Sequence, residues 1–262
     1  MRQSHSTSVL LFAALIAACD SGSPTTPTSS LDADLGVVEV VTGGMSSYSA
    51  AGSGYVGSGG FAPVLRAMQP SACAYNEATQ FFTCPTVSSG GYIVARKFRL
   101  LDASGASLSS ANPETVAAIR AVIDVQGGPS SQALISRHED NTLSGLQTTT
   151  RTLDGTATQD LTLYDGNGLV TMLTHDVSVT TGLAVVNSVE QRYPLGGTII
   201  SDGTITYAGG GSSFPYHREI IFDGSNIMTM KQSVSGGSTM TCKVPLAPSS
   251  GTVTCTFGST GL

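Results

Sequence analysis

The chain of 262 residues carries a formal net charge of −6 at pH 7, and only 11% of its residues are charged, against the usual ~25%. Because the balance is acidic and basic clusters are lacking, we exclude nucleic acid and other partners that bind through a basic patch. Ser and Thr together make about a quarter of the chain, which also has 31 glycines and no tryptophan. Thr favours half-exposed strands and Gly favours turns, so the composition indicates an all-β protein.

The N-terminus reads as an export signal that ends in a lipid-attachment cysteine. Arg2 precedes an apolar run from Val9 to Ala18, which is shorter than the ~20 residues of a membrane-spanning helix and is typical of a signal-peptide core. The run ends at Ile16-Ala17-Ala18-Cys19, and these residues resemble the lipobox of bacterial lipoproteins. The resemblance implies removal of residues 1–18 and lipidation of Cys19. The alternative is an ordinary secretory signal that is cleaved near Ala18.

Residues 19–34 follow as a tether that is rich in Ser, Thr, Gly and Pro, a composition typical of flexible linkers. The predicted location is the bacterial cell envelope, with the protein anchored to a membrane through its N-terminal lipid and either periplasmic or surface-exposed. Asp20 resembles an inner-membrane retention signal, but the choice between inner and outer membrane stays open.

Residues 35–262 are predicted to form a single β-rich domain. A first strand is expected at 35–41, a short helical turn at 61–68 and an alternating strand at 92–101. Residues 112–126 could begin a helix at Asn112-Pro113-Glu114, but the β-branched run that follows favours a strand. Further strand-length segments are expected at 80–87, 133–141, 147–153, 156–164, 169–179, 184–191, 198–207, 216–222, 227–233, 239–244 and 252–257.

Turn signals separate most of these segments, among them Asp154-Gly155, Asp165-Gly166-Asn167-Gly168, Thr181-Gly182 and Asp202-Gly203. Asp165 to Gly168 lacks the further ligands of a calcium loop and favours a hairpin turn. Short strands joined by tight turns predict an antiparallel meander that forms a β-sandwich or a barrel.

The four cysteines of this domain fall into two local pairs, Cys73 with Cys84 and Cys242 with Cys255. Three pairings are possible from sequence alone. The two local disulfides are favoured, because each would close a hairpin and export exposes the thiols to oxidant. No two cysteines have the CxxC spacing of a zinc or redox site.

Several stretches of the domain are similar to uncharacterised β-rich bacterial lipoproteins. They are Cys73-Ala74-Tyr75-Asn76, Phe82-Thr83-Cys84-Pro85, Leu101-Asp102-Ala103-Ser104-Gly105 and Tyr193-Pro194-Leu195-Gly196-Gly197-Thr198. The resemblance implies an exported β-rich protein and supplies no catalytic residues.

Three histidines are the weak candidates for a metal site: His138, His175 and His217. Asp140 and Glu219 each lie two residues from one of them and share its strand face. If the fold joined the three, they would form a site of the kind that zinc occupies; otherwise they are polar residues that face solvent. The strand arginines Arg137, Arg151, Arg192 and Arg218 could line a pocket but are expected to pair at the surface.

The chain contains no G-x-S-x-G nucleophile elbow and no phosphate-binding loop. We therefore predict no catalytic residues, no metal and no cofactor. The expected function is a non-enzymatic binding, adhesion or structural role, with no protein or ligand partner identified. The alternatives are an envelope hydrolase or metal-dependent enzyme built on the three histidines, and a barrel-type carrier of a small ligand, which requires an internal cavity.

Overall fold

The computed structural model describes residues 73–89, 91–112, 114–130, 133–186, 194–209, 211–234, 237–245 and 253–258. The signal peptide, Cys19, the tether and the elements predicted at 35–41 and 61–68 lie outside these residues. In the described part of the chain, a search for a helix long and apolar enough to cross a bilayer finds none.

Fourteen β-strands make up the described regular structure, which confirms the predicted all-β antiparallel meander. They are β1 (Ala74–Asn76), β2 (Phe81–Thr83), β3 (Val87–Ser89), β4 (Tyr92–Leu101), β5 (Ser107–Leu108), β6 (Ala118–Ser130), β7 (Ala133–Ser144), β8 (Thr150–Tyr164), β9 (Val170–Val186), β10 (Gly196–Tyr207), β11 (Ser213–Phe222), β12 (Ile227–Val234), β13 (Thr239–Pro245) and β14 (Thr254–Gly258).

All fourteen strands belong to one sheet with the order β1-β2-β4-β6-β7-β8-β9-β10-β11-β12-β13-β14, while β3 and β5 pair with β4 off this path. From β6 to β14 each strand pairs with its successor in the chain. This connectivity needs only short hairpin links, because antiparallel neighbours can be joined by tight turns.

The two faces of the sheet differ sharply in exposure. In β4 the alternating side chains Tyr92, Val94, Arg96 and Phe98 are all buried. The same alternation continues through β9, where every second side chain from Met172 to Thr180 is buried. We call the face with the buried side chains the inner face and the opposite one the outer face.

One apolar cluster occupies the inner face and runs across the strands from β4 to β13. Leu143, Leu153 and Leu183 lie side by side on β7, β8 and β9 with exposures of 0%, 0% and 1%. Fully burying a leucine side chain stabilises a fold by about 1.5–3 kcal/mol, so this cluster is the main source of stability.

The residues of the ambiguous segment form a strand, as predicted, rather than a helix. Asn112 does act as a cap, because its side chain accepts a hydrogen bond from the Glu114 N–H at 3.1 Å. It caps only a single turn, in which the Val116 N–H donates a hydrogen bond to the Asn112 carbonyl oxygen. The chain then enters β6, where β-branched side chains pack well on a pleated surface.

Three predicted turns are wrong. Asp154-Gly155, Thr181-Gly182 and Asp202-Gly203 lie inside β8, β9 and β10, respectively. As a result the strands are longer than predicted, and β9 spans 17 residues. The hairpin at Asp165 to Gly168 is present: the Asp165 side chain accepts hydrogen bonds from the N–H groups of Asn167 and Leu169.

Both cysteine pairs favoured by their spacing are bonded. Cys73 joins Cys84, and Cys242 joins Cys255 directly across the β13–β14 pair. The second disulfide fixes the last strand of the sheet, whose side chains are all exposed.

Candidate functional site

A polar cluster interrupts the apolar packing on the inner face. Its axis is a row of directly opposed positions on five successive strands, namely Arg137, Gln159, Asp176, Gly203 and Tyr216 on β7 to β11. The four side chains of this row are at most 6% exposed. Ionisable groups are costly to bury unless they are paired, so their contacts decide what the cluster can do.

The first half of the cluster is an ion pair held by two amides. The Arg137 Nε donates to Glu139 Oε1, and the two side chains are only 3% and 1% exposed. A second Arg137 nitrogen donates to Gln159 Oε1 at 3.0 Å, while Asn141 Nδ2 donates to Glu139 Oε2 at 3.1 Å. Each charge therefore has its opposite and a neutral partner, the arrangement that makes a buried pair tolerable.

The second half of the cluster joins Asp176 to Tyr216 across a glycine. The Tyr216 hydroxyl on β11 donates to Asp176 Oδ2 on β9, although β10 lies between these two strands. Gly203 makes this contact possible: a Cβ there would lie 2.8 Å from the Tyr216 hydroxyl oxygen and 2.4 Å from the His175 carbonyl oxygen. Any larger residue at position 203 would collide with both.

Arg218 completes this half. Its guanidinium carbon lies 5.2 Å from the centre of the Tyr216 ring, and its Nε donates to Gln232 Oε1 at 3.2 Å. A cation over an aromatic face is attracted by the ring quadrupole. Arg218 is 1% exposed, and burial lowers the pKa of its guanidinium.

Asp176 is the least compensated group of the cluster. Its Oδ1 is buried and has no hydrogen-bond partner among the residues that the structure describes. Burial raises the pKa of Asp176 above its ordinary value, against the opposing effects of the Tyr216 hydrogen bond and the Arg218 charge. Burial also raises the pKa of Tyr216, and the neighbouring Asp176 charge raises it further.

The histidines lie on the outer face, and each is paired with an aspartate directly across a hairpin. The Nδ1 atoms of His138, His175 and His217 lie 2.6, 2.8 and 2.8 Å from carboxylate oxygens. Their partners are Asp124, Asp160 and Asp202. The hairpins β6–β7, β8–β9 and β10–β11 thus repeat one arrangement, with Asp on the first strand and His on the second.

These aspartates are not the acidic residues that the sequence suggested as partners. Asp140 shares the outer face with His138 but accepts two hydrogen bonds from Arg120. Glu219 accepts a hydrogen bond from Lys231 at 2.9 Å. Residues two apart on one strand share a face, but directly opposed residues are closer, and the cross-strand partners prevail here.

The fold does not bring the histidines together. In the strand register His138 and His175 are two strands and two residues apart, as are His175 and His217. With ~4.8 Å between strands and ~3.4 Å per residue, each separation is about 12 Å. Each ring is held by its own aspartate rather than turned toward another histidine. The described residues contain no group of three or more His, Cys, Asp or Glu side chains placed to hold a metal ion.

The sheet also separates the histidines from the buried hydroxyls. Ser178 and Ser201 lie on the inner face beside the polar cluster and are 6% and 2% exposed. The three histidine side chains are about half exposed on the outer face. A serine nucleophile needs its base within hydrogen-bond reach, and the sheet itself lies between these candidate partners.

The polar cluster does not follow from the sequence motifs, and the strand arginines are not at the surface. Arg137, Arg151 and Arg218 were expected at the surface but are 4%, 8% and 1% exposed; Arg192 lies outside the described residues. Side-chain alternation could have indicated this burial. Arg137 and Arg218 are the neighbours of His138 and His217 in their strands, so they face the opposite side of the sheet. In comparisons with known proteins, no family model, curated protein or solved structure matches the chain.

Proposed function

We propose that this chain is a lipid-anchored protein of the bacterial cell envelope with a non-enzymatic binding, adhesion or structural role. The non-enzymatic part of the proposal is supported by the placement of the reactive side chains on opposite faces of the sheet. The histidines lie in separate pairs on the exposed face, and the buried serines and charges lie on the other. The alternative of an enzyme built on His138, His175 and His217 has less support, because each ring is paired with its own aspartate and the described residues do not group the three as metal ligands.

The lipobox, the tether and the disulfides support the envelope location. Ile16-Ala17-Ala18-Cys19 supplies a thiol at the position where a lipoprotein is acylated. The two disulfides fit a compartment that is oxidising, since such bonds are rare in the cytosol.

Replacement of the anchor cysteine tests the location. Cys19→Ala is expected to abolish the incorporation of labelled palmitate, because the variant has no thiol to carry the lipid. Ser23→Ala is the matched control, because it changes the tether and leaves the thiol. Palmitate incorporation that is unchanged in Cys19→Ala would contradict the anchor.

Metal analysis tests the metal-dependent alternative. Protein purified without chelator is expected to hold no stoichiometric zinc, copper or iron, and its melting temperature should not respond to EDTA. The triple variant of His138, His175 and His217 to Gln is expected to behave in the same way. A stoichiometric metal that the triple variant loses would overturn the proposal and restore the metal-dependent alternative, because a bound metal stabilises the native state.

A second candidate, a carrier of a small polar ligand, is favoured by Asp176. A buried carboxylate oxygen without a described partner is a place for a hydrogen-bond donor. Native mass spectrometry of protein purified from its own membranes tests this candidate, with Asp176→Asn as the comparison. An additional bound mass that the variant lacks supports a ligand at Asp176. If neither protein carries an additional mass, the candidate is rejected.

A further inference from the structure

One end of the sheet exposes a group of large apolar side chains. At this end β8 and β10 finish and β7, β9 and β11 begin. Its exposed apolar residues, which we call the hairpin rim, are Leu134, Leu169, Val170, Leu173, Tyr207 and Phe214. Leu169 is 66% exposed, Tyr207 52% and Leu134 49%. Leu134 and Leu173 belong to the outer face of this end, and Tyr207 and Phe214 belong to the inner face, so the rim surrounds the end of the sheet. Exposed apolar groups that share one end mark an interaction surface more often than scattered ones do.

Charge is nearly absent from the hairpin rim. In the described strand ends and turns that form it (133–135, 163–173 and 205–215 without residue 210), Asp165 is the single charged residue. Its carboxylate is engaged in the turn, where it accepts the N–H groups of Asn167 and Leu169. The turn therefore holds Leu169 outward and keeps the one acidic group satisfied.

The opposite end of the sheet has a different character. Its turns and strand ends carry the acidic residues Asp102, Glu114 and Asp223, together with Arg151 near the start of β8. Leu195 and Ile227 are exposed near it, at 38% and 37%. On an acidic chain, the hairpin rim is thus the end that can approach an apolar or anionic surface with the least repulsion.

We propose that the hairpin rim rests on the lipid bilayer that holds the N-terminal anchor. This inference rests on the proposed lipid anchor, which keeps the domain beside a membrane. The chain from Cys19 to Cys73 could span roughly 180 Å if it were fully extended, so the anchor alone does not choose which side faces the lipid. The rim supplies that choice, since leucine and valine enter the headgroup boundary and aromatic rings favour that depth.

The two rim aromatics are arranged for this contact. Tyr207 and Phe214 face each other across the β10–β11 hairpin with ring centres 6.2 Å apart in an edge-on arrangement. Tyrosine places an apolar ring and a polar hydroxyl at one site, which suits a surface that is apolar below and wet above. Because the rim has no described Lys or Arg, its attraction to lipid does not depend on anionic headgroups.

Vesicle flotation of the unlipidated full-length mature chain tests the proposal. We use Cys19→Ala protein with vesicles of phosphatidylcholine alone and of phosphatidylethanolamine with phosphatidylglycerol. Binding to both is expected, with little change between low and high salt. Adding Leu169→Ser, Leu173→Ser and Phe214→Ser should lower the bound fraction at least fivefold. The matched control is Val177→Ser, Val179→Ser and Ile200→Ser, which removes similarly exposed apolar groups from the middle of the outer face and should bind unchanged.

A tryptophan reporter tests the same contact without removing apolar surface. The chain has no tryptophan, so Leu169→Trp gives one signal from the rim and Val177→Trp one from the outer face. Vesicles are expected to shift the Leu169→Trp emission to the blue, and brominated lipid should quench it. Neither effect is expected for Val177→Trp.

Several results would overturn the membrane contact. They are no flotation together with an unshifted Leu169→Trp spectrum, equal losses in the rim variant and its control, or binding only to anionic vesicles at low salt. Light scattering that shows a dimer broken by the rim substitutions would assign the rim to a second copy instead. None of these results touches the anchor, because palmitate labelling of the chain with Cys19 reports on it separately.

Discussion

Two regions of the inner face are buried to the same degree and held by different forces. On β7, β8 and β9, Leu143, Leu153 and Leu183 form one row, and Arg137, Gln159 and Asp176 form another nearer the hairpin rim. Every member of both rows is at most 4% exposed. The leucine row is stabilised by removal of apolar surface from water, whereas the polar row is tolerated only because its groups satisfy one another.

The difference shows that burial does not measure stabilisation. In a buried ion pair, the Coulomb attraction and the hydrogen bonds roughly offset the free energy lost by desolvation of the two charges. The leucine row therefore supplies net stability, and the polar row contributes little once its groups are paired. The four predictions below separate these contributions.

The largest effect is expected from breaking the buried ion pair. Arg137→Met should lower the free energy of unfolding by about 3 to 5 kcal/mol, because it leaves the Glu139 carboxylate buried without its cation. Urea denaturation followed by circular dichroism measures the change. The double variant Arg137→Met with Glu139→Leu is the control and should recover most of the loss, since no charge stays unpaired. A single variant that loses less than about 1 kcal/mol would show that the pair is dispensable.

A slightly smaller effect is expected in the leucine row. Leu153→Ala should cost about 2 to 5 kcal/mol, because a fully buried leucine is replaced and its neighbours Leu143 and Leu183 cannot fill the cavity. The same urea titration checks it. Leu173→Ala, on the exposed rim, removes the same atoms and should change stability by about 0.5 kcal/mol or less. Equal losses at both positions would contradict the assignment of the inner face as the core.

The fold was largely predictable from the sequence because alternation and composition are local signals. The alternation at 92–101 predicts strand β4, and the two local cysteine pairs predict both disulfides. Glycines produced the main errors. Gly155 and Gly203 were interpreted as turn residues, but both lie inside strands, where the Asn141 and Tyr216 side chains, respectively, occupy the space of a Cβ.

The candidate site was less predictable because it depends on which strands are neighbours. Nothing in the local sequence says that His138 is opposite Asp124 rather than beside Asp140, or that Tyr216 reaches Asp176 across Gly203. These contacts join residues 14 and 40 positions apart. Register decides both contacts, and the mistaken turn at Asp202-Gly203 conceals the register that joins β9, β10 and β11.

A smaller and opposite effect is expected at Asp176. Burial raises the pKa of this carboxyl in the folded state, so the unfolded chain ionises first as pH rises above about 3.9. Stability from this group is therefore lost progressively from about pH 4 up to the raised pKa, and beyond that pKa the loss levels off.

Asp176→Asn removes this titration and keeps an acceptor for the Tyr216 hydroxyl. The free energy of unfolding of the variant should equal that of the wild type near pH 4 and exceed it at pH 7 by on the order of 1 kcal/mol. Thermal unfolding between pH 4 and 8 measures the difference, with Asp165→Asn as a control at an exposed turn. A variant that is less stable than the wild type at pH 7 would mean that the ionised carboxylate is stabilised by its arginine neighbours.

The smallest effects are expected at the three histidine–aspartate pairs, which are exposed where the Arg137–Glu139 pair is buried. Asp124→Asn, Asp160→Asn and Asp202→Asn should each change the free energy of unfolding by about 0.5 kcal/mol or less, because both partners are at least half exposed and water solvates either one alone. The three values should also agree with one another, since the hairpins repeat the same cross-strand placement. Urea denaturation at low and high salt measures them, and salt should reduce whatever difference exists. A loss above about 2 kcal/mol at one pair would single out that hairpin as structurally special and end the description of the outer face as three equivalent, solvated pairs.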